Sequence, residues 1–182
     1  MPSAWKRTDP TTVIQANYRT LVDKTFILPD GSRHVFTTVL AEDTVYAGVI
    51  ALTPEKQVIV SRQFRPGPER IMDEIPGGGA EPGEAPETAA LRELAEETGY
   101  QAGTIEFLGS SCRDAYMNAT WNYYLALDCT PTNLGQHLDD TEYVEVGLMS
   151  IAEFLKAAKH DRVTDSVAVL LAYDKLKSYI SG

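Results

Sequence analysis

The feature that most constrains this chain is the run Arg92-Glu93-Leu94-Ala95-Glu96-Glu97-Thr98-Gly99-Tyr100, which follows the glycine triplet Gly77-Gly78-Gly79. Its spacing predicts a helix. Pro86 suits the first turn, where a missing N–H costs nothing. Ala89, Ala90, Leu91, Leu94 and Ala95 supply the apolar side, and Gly99 stands where a left-handed residue stops a helix. Residues three and four apart are neighbours on a helix, so Glu93, Glu96 and Glu97 converge on one exposed face. Each like-charge pair costs roughly 0.2–0.5 kcal/mol. Carboxylates near a helix C-terminus also oppose its dipole, which favours cations there. Two local rules broken at one spot point to function.

Hard divalent cations account for such a face. Mg²⁺ prefers oxygen, takes one or two carboxylates and lets substrate phosphates complete its shell. Three carboxylates could hold one to three ions, which would neutralise a diphosphate, polarise phosphorus and activate a water. A solvated acidic face is the competing reading of these glutamates alone. Their neighbours weigh against it. Glu84 could reach the same ions from the loop, Arg92 can hold a nearby carboxylate bidentately, and the glycines permit close backbone approach and offer carbonyl oxygens.

Gly78, five residues, Glu84, seven residues and then Arg92 to Tyr100 together resemble the Nudix box of the Nudix hydrolase superfamily, with Tyr100 in place of an aliphatic residue. The resemblance implies an α+β fold, a Nudix-type α/β/α sandwich with a mixed sheet. It also implies dependence on Mg²⁺ or Mn²⁺ and hydrolysis of a nucleoside diphosphate linked to another moiety. By position, it makes Glu93 and Glu97 the principal metal ligands, Glu96 a ligand or a residue of the metal's shell, and Gly77 the carbonyl ligand. Arg92 would orient a glutamate, and Glu84 would hold the loop or a metal water.

The flanks resemble the ADP-ribose/ADP-sugar pyrophosphatase branch. Gln63-Phe64-Arg65-Pro66 is similar to its Q-[YF]-R-P segment, and Glu74-Ile75-Pro76-Gly77-Gly78 to its E-[LIF]-P-A-G approach. Members carry N-terminal strands that build a homodimer whose partner chain completes the substrate pocket. On this resemblance, residues 1–43 form an N-terminal antiparallel β subdomain and residues 44–182 the hydrolase domain. Arg65 and Glu74 would bind substrate, a surface salt bridge being the other reading of Arg65. Trp5, Tyr18, Phe26 and Tyr46 could stack on adenine or simply pack, since strands are rich in aromatics.

The proline that this branch carries beyond its box is missing from Arg113-Asp114-Ala115-Tyr116-Met117-Asn118. Arg113, Asp114, Tyr116 and Asn118 therefore form either a pocket for another terminal group or a plain loop. GDP-sugars, dinucleoside polyphosphates, NADH and nucleoside triphosphates stay open as substrates. A non-catalytic nucleotide sensor is disfavoured, because every box glutamate is present.

Attack of water on phosphorus needs a base. Related pyrophosphatases take theirs from an acidic loop placed like His137-Leu138-Asp139-Asp140-Thr141-Glu142, which singles out Glu142 and then Asp140, with a solvated loop as the competing reading. His137 is either a phosphate contact or a surface histidine.

The first third reads as an antiparallel meander: Thr12 to Tyr18, Arg19 to Leu28, a turn at Pro29-Asp30-Gly31-Ser32, Arg33 to Leu40, Thr44 to Leu52 and Gln57 to Gln63. Phe64 to Gly83, rich in Pro and Gly, reads as irregular. Thr104 to Ser110, Trp121 to Leu127 and Tyr143 to Met149 are further strands. Ser150-Ile151-Ala152-Glu153 is a capping box opening a helix to Lys159, and a last helix spans Ser166 to Tyr179.

A net charge of −10 with no basic run argues against nucleic acid, whose binders need a cationic surface. Cys112 and Cys129 sit in no metal or redox pattern, which suggests a reducing, cytoplasmic setting. Neither a signal peptide nor a membrane span is expected.

Overall fold

The computed structural model describes residues 4–17, 19–139 and 141–181. Among them the strands are β1 Lys6–Ala16, β2 Arg19–Ile27, β3 Arg33–Leu52, β4 Gln57–Arg65, β5 Arg70–Glu74, β6 Gly77–Gly79, β7 Tyr100–Gln101, β8 Thr104–Ser111, β9 Met117–Leu127, β10 Thr130–Pro131 and β11 Glu145–Ser150. The helices are α1 Pro86–Thr98, α2 Ile151–Lys159 and α3 Ser166–Ser181. The fold is α+β, a mixed sheet with three helices. The chain divides into two compact units, residues 1–44 with 112–120 and residues 45–111 with 121–182.

The first unit is an antiparallel meander. β1 pairs with β2, and β2 with the first part of β3, where Leu21 faces Val39 and Ile27 faces Arg33. The turn forms as the Pro-Asp-Gly-Ser signature demands. The Asp30 carboxylate accepts from Ser32 N at 2.9 Å, and Gly31 takes the left-handed conformation.

β3 runs unbroken through the gap expected between its two halves, with Leu40 (φ 71°) and Asp43 (φ 61°) in left-handed backbone at that place. Residues 112–120 join this unit through β9, which starts at Met117 and not at Trp121. Asn118 uses its whole amide there. Its Nδ2 donates to Thr38 Oγ1 (2.9 Å) and Leu40 O (2.7 Å), and its Oδ1 accepts from Lys24 Nζ (2.6 Å). Asn118 therefore staples β9 to β2 and β3. Trp5 and Phe26 pack with Phe36 and with each other, at ring separations of 5.3–6.3 Å. Tyr18 lies outside the described residues.

In the second unit, alternation along three strands builds two cores. Ile50 and Leu52 of β3, Val58 and Val60 of β4, and Tyr123 and Leu125 of β9 join Ile151, Phe154, Ala172 and Leu176 from α2 and α3. The intervening residues Ala47, Val49, Ala51, Ile59, Tyr124 and Ala126 meet Ala89, Ala90 and Leu94 of α1. Successive strand side chains point to opposite faces. A sheet apolar on both faces must carry helices on both, which is the expected α/β/α sandwich.

The stretch expected to be irregular contains two strands. β5 pairs antiparallel with β4, and the triple-glycine β6 pairs with β3, Gly48 opposite Gly77. A Cβ on Gly77 would lie 2.5 Å from Ala47 O, so only glycine lets these backbones meet. No described helix is long and apolar enough to cross a membrane.

Candidate active site

Helix α1 carries the site past the end of its apolar stripe. It begins at Pro86 with no side-chain cap on Ala85 and stops at left-handed Gly99 (φ 71°), whose N–H donates to Ala95 O at 2.8 Å. Ala89, Ala90 and Leu94 are wholly buried, and one turn further the same stripe contains Glu97, only 5% exposed. The exposed acidic face expected from the sequence is therefore two different surfaces. Glu97 and most of Glu93 are buried, whereas the Glu96 side chain is 41% exposed.

Arg92 organises the exposed side. Its guanidinium donates to Glu84 Oε1 (3.0 Å), Glu84 Oε2 (3.1 Å), Glu93 Oε1 (2.9 Å), Glu96 Oε2 (2.8 Å) and Gly79 O (3.0 Å). Glu84 also accepts from Glu81 N at 2.9 Å, so it holds the loop ahead of the helix. The Arg92 bonds keep the Glu84 carboxyl below its ordinary pKa and Arg92 itself firmly protonated. Gly78 packs directly under Glu93, where a Cβ would fall 2.4 Å from Glu93 Oε1.

Glu97 sits in an anionic pocket. Burial pushes its pKa up to about 8. The hydroxyl of Ser61, donating at 2.7 Å, opposes that rise, and the charges of Glu93, Glu142 and Glu74 add to it. Burial likewise raises Glu93, eased by Arg92 and worsened by Glu96 and Glu142. Carboxylates from β5, α1 and the loop before β11 thus repel one another around a desolvated centre.

Among the described residues, no three Asp, Glu, His or Cys side chains are gathered closely enough to enclose an ion. Arg92 stands between Glu93 and Glu96, and Ser61 holds Glu97. The donors nevertheless fit a hard divalent cation. Two carboxylates four residues apart on one helix suffice for an ion that keeps waters and substrate oxygens, and its charge would relieve the repulsion.

Arg65 forms a fork onto buried Glu74, with Nε at 2.8 Å from Oε1 and Nη2 close to Oε2. This ion pair raises the Arg65 pKa, helped by Glu97 and Asp165. The salt-bridge reading of Arg65 is therefore realised, although its partner is buried. Arg113 belongs to the first unit. Tyr46 stacks on Trp121, centroids 4.5 Å apart. Gly77 lies in β6, and Asp140 is outside the described residues.

Two polar residues of the site, Ser61 and Gln136, were not singled out from the sequence, and Gln63 only as part of a motif. Ile59, Ser61, Gln63 and Arg65 share one face of β4 by alternation; Ser61 holds Glu97, and Gln63 Nε2 donates to Glu74 Oε2 at 3.2 Å. Polar residues continuing the inward face of an apolar strand were the available signal. Gln136, which donates to Glu97 O at 2.6 Å, gave none.

The NUDIX domain family matches residues 43–168. The chain is 35% identical over 136 residues to ADP-ribose pyrophosphatase of Bacillus subtilis, covering 74% of each. It is 34% identical over 123 residues to the methanol dehydrogenase activator of Bacillus methanolicus, covering 67% of this chain and 66% of that one. It therefore spans about two thirds to three quarters of these relatives. A solved structure described as an ADP compounds hydrolase superposes with a TM-score of 0.81 at 20% identity, over 98% of this chain and 97% of the other, which shows the shared fold. The family match extends over most of the chain and includes the glutamate helix: the chain belongs to the Nudix family and is a Nudix hydrolase.

Proposed function

We propose that this hydrolase cleaves the pyrophosphate bond of ADP-ribose or an ADP-sugar, giving AMP and a sugar phosphate, with Mg²⁺ or Mn²⁺ as cofactor. The observation that carries the proposal is the placing of two carboxylates, buried Glu97 and largely buried Glu93, one turn apart on one helix with further acidic charge from Glu74 and Glu142 about them, which a bound cation would offset. The ADP-ribose pyrophosphatase relative supports the substrate class. So does the row Gln63-Arg65-Glu74, whose charged groups could meet a diphosphate or its ribose.

Glu93 and Glu97 would hold the cation, aided by Glu96 and the Gly77 carbonyl. When bound, the ion supplies charge neutralisation for the diphosphate and lowers the pKa of water. Arg92 keeps Glu93 and Glu96 oriented while Glu84 fixes the preceding loop. Glu142 takes the proton of the attacking water. The water oxygen bonds to one phosphorus, the anhydride P–O bond breaks, and its electron pair leaves with the second phosphate. Alignment and electrostatics carry such transfers, since little covalent chemistry falls to the protein. Arg65 and Glu74 are assigned to substrate binding.

The first unit is proposed to mediate a homodimer. Val13, Ile14 and Val35 expose apolar surface there, and sedimentation equilibrium would test it. The test of function is a phosphate-release panel with ADP-ribose, ADP-glucose, GDP-mannose, dinucleoside polyphosphates, NADH and nucleoside triphosphates. Each is run with Mg²⁺ and with EDTA, and phosphatase is added to expose monoester products. Mg²⁺-dependent turnover led by ADP-ribose or ADP-glucose is expected. Turnover led by another compound moves the substrate and keeps the chemistry, whereas a folded protein inert on the whole panel contradicts the proposal.

A further inference from the structure

The last carbonyls of a helix have no partner within it. At the end of α1 they are taken by the loop after β10. His137 N donates to Glu96 O at 2.8 Å, Gln136 Nε2 to Glu97 O at 2.6 Å, and Thr132 N to Gly99 O at 2.7 Å. The fit is close, for a Cβ on Gly99 would lie 3.0 Å from the Gly135 carbonyl carbon. The same Gln136 nitrogen also donates to Val144 O at 3.2 Å. One amide thus ties the end of α1 to Val144, two residues beyond Glu142.

Glu142 stands within that loop. Its N–H donates to Asp139 O at 2.9 Å, and its carboxylate accepts from Asp139 N at 3.2 Å. Its charge is felt at both Glu93 and Glu97. Immediately past the loop, Glu145 pairs with Arg62 at 3.4 Å and faces it across the β11–β4 ladder.

We infer that Gln136 is a positioning residue whose amide ties Val144 to the end of α1 and so holds Glu142, two residues earlier, toward Glu93 and Glu97, and that it acts on hydrolysis through Glu142. The inference rests on Glu142 as the proposed base. Glutamine suits the task because its NH₂ carries two hydrogens and reaches two carbonyls at once. Ionised glutamate of equal length has nothing to donate, and alanine does not reach.

The test compares wild type with Gln136→Ala, Gln136→Glu, Glu142→Gln and the double variant Gln136→Ala/Glu142→Gln. Amide hydrogen exchange of the metal-free proteins comes first. Exchange over residues 137–144 is expected to quicken in both Gln136 variants while α2 stays as protected as in wild type. kcat and KM then follow, on the compound the wild type turns over fastest. Each Gln136 variant should lose about tenfold in kcat with KM within about twofold. That loss should vanish in the Glu142→Gln background, because residues acting as one unit are not additive. Unchanged loop exchange, or a Gln136 loss that persists undiminished beside Glu142→Gln, overturns the inference. Full kcat in Glu142→Gln removes the base assignment itself and the inference with it. Those failures are distinct, since the first two leave Glu142 as the base.

Discussion

Helices α1 and α2 stand in the same unit and are built on opposite plans. α2 satisfies local rules with side chains. Ser150 accepts from Glu153 N at 3.2 Å, Glu153 returns a carboxylate to Ser150 N at 3.0 Å, and Lys156 and Lys159 lie at the negative end of the dipole. α1 starts at Pro86 with no side-chain cap and stops at left-handed Gly99. Its last turn carries Glu96 and Glu97 with no base, and it buries Glu97 where a leucine would serve stability. The carbonyls α1 leaves open are filled from another loop, by Thr132, Gln136 and His137. A helix whose ends are stabilised from outside, and whose core stripe holds a carboxylate, gives up local stability that α2 keeps, as the proposed metal site requires.

The largest expected break in this comparison is Glu97→Gln. It should lower kcat by about 10²-fold or more, a loss in the range seen when a single electrostatic contributor is removed. Because Glu97 is buried beside like charges, the metal-free variant should melt at or above the wild-type temperature at pH 8. A thermal melt and a rate measurement decide this together.

The next effect is in pH. Glu97 has a folded pKa of about 8, above its unfolded value, so between them the native state binds more protons. Stability in EDTA should therefore fall as pH rises from the ordinary carboxylate range to about 8, by at most about 1.4 kcal/mol per pH unit from this group. Glu153 has the opposite sign. The Ser150 hydroxyl and backbone N–H hold its pKa low, so its contribution is present above the carboxylate range and lost in acid. Denaturant melts across pH should show the first slope in wild type and lose it in Glu97→Gln.

The smallest effect is Ser150→Ala, which should cost about 1 kcal/mol of stability and leave kcat unchanged. A matched loss of turnover would break the separation between the two helices.

The two helices also differ in how much the sequence reveals. α2 and its capping box are legible to the residue, because every determinant lies within a few positions. The boundaries of α1 are legible for the same reason, from Pro86 and Gly99. The spacing of Glu93 and Glu97 points to a metal site, but their burial depends on the sheet beneath, and so does the role of Ser61. β5 and β6 were hidden in a Pro- and Gly-rich stretch because their order comes from pairing with β4 and β3 and not from local preference. Residues 112–120 join the first unit through long-range bonds from Asn118, which no linear reading supplies.

The most direct test of the central claim is a Mn²⁺ titration followed by electron paramagnetic resonance on wild type, Glu96→Gln and Glu97→Gln, without substrate. The account predicts that Glu97→Gln weakens Mn²⁺ binding about tenfold or more and that exposed Glu96→Gln weakens it less. Wild-type affinity in a folded Glu97→Gln protein would contradict it.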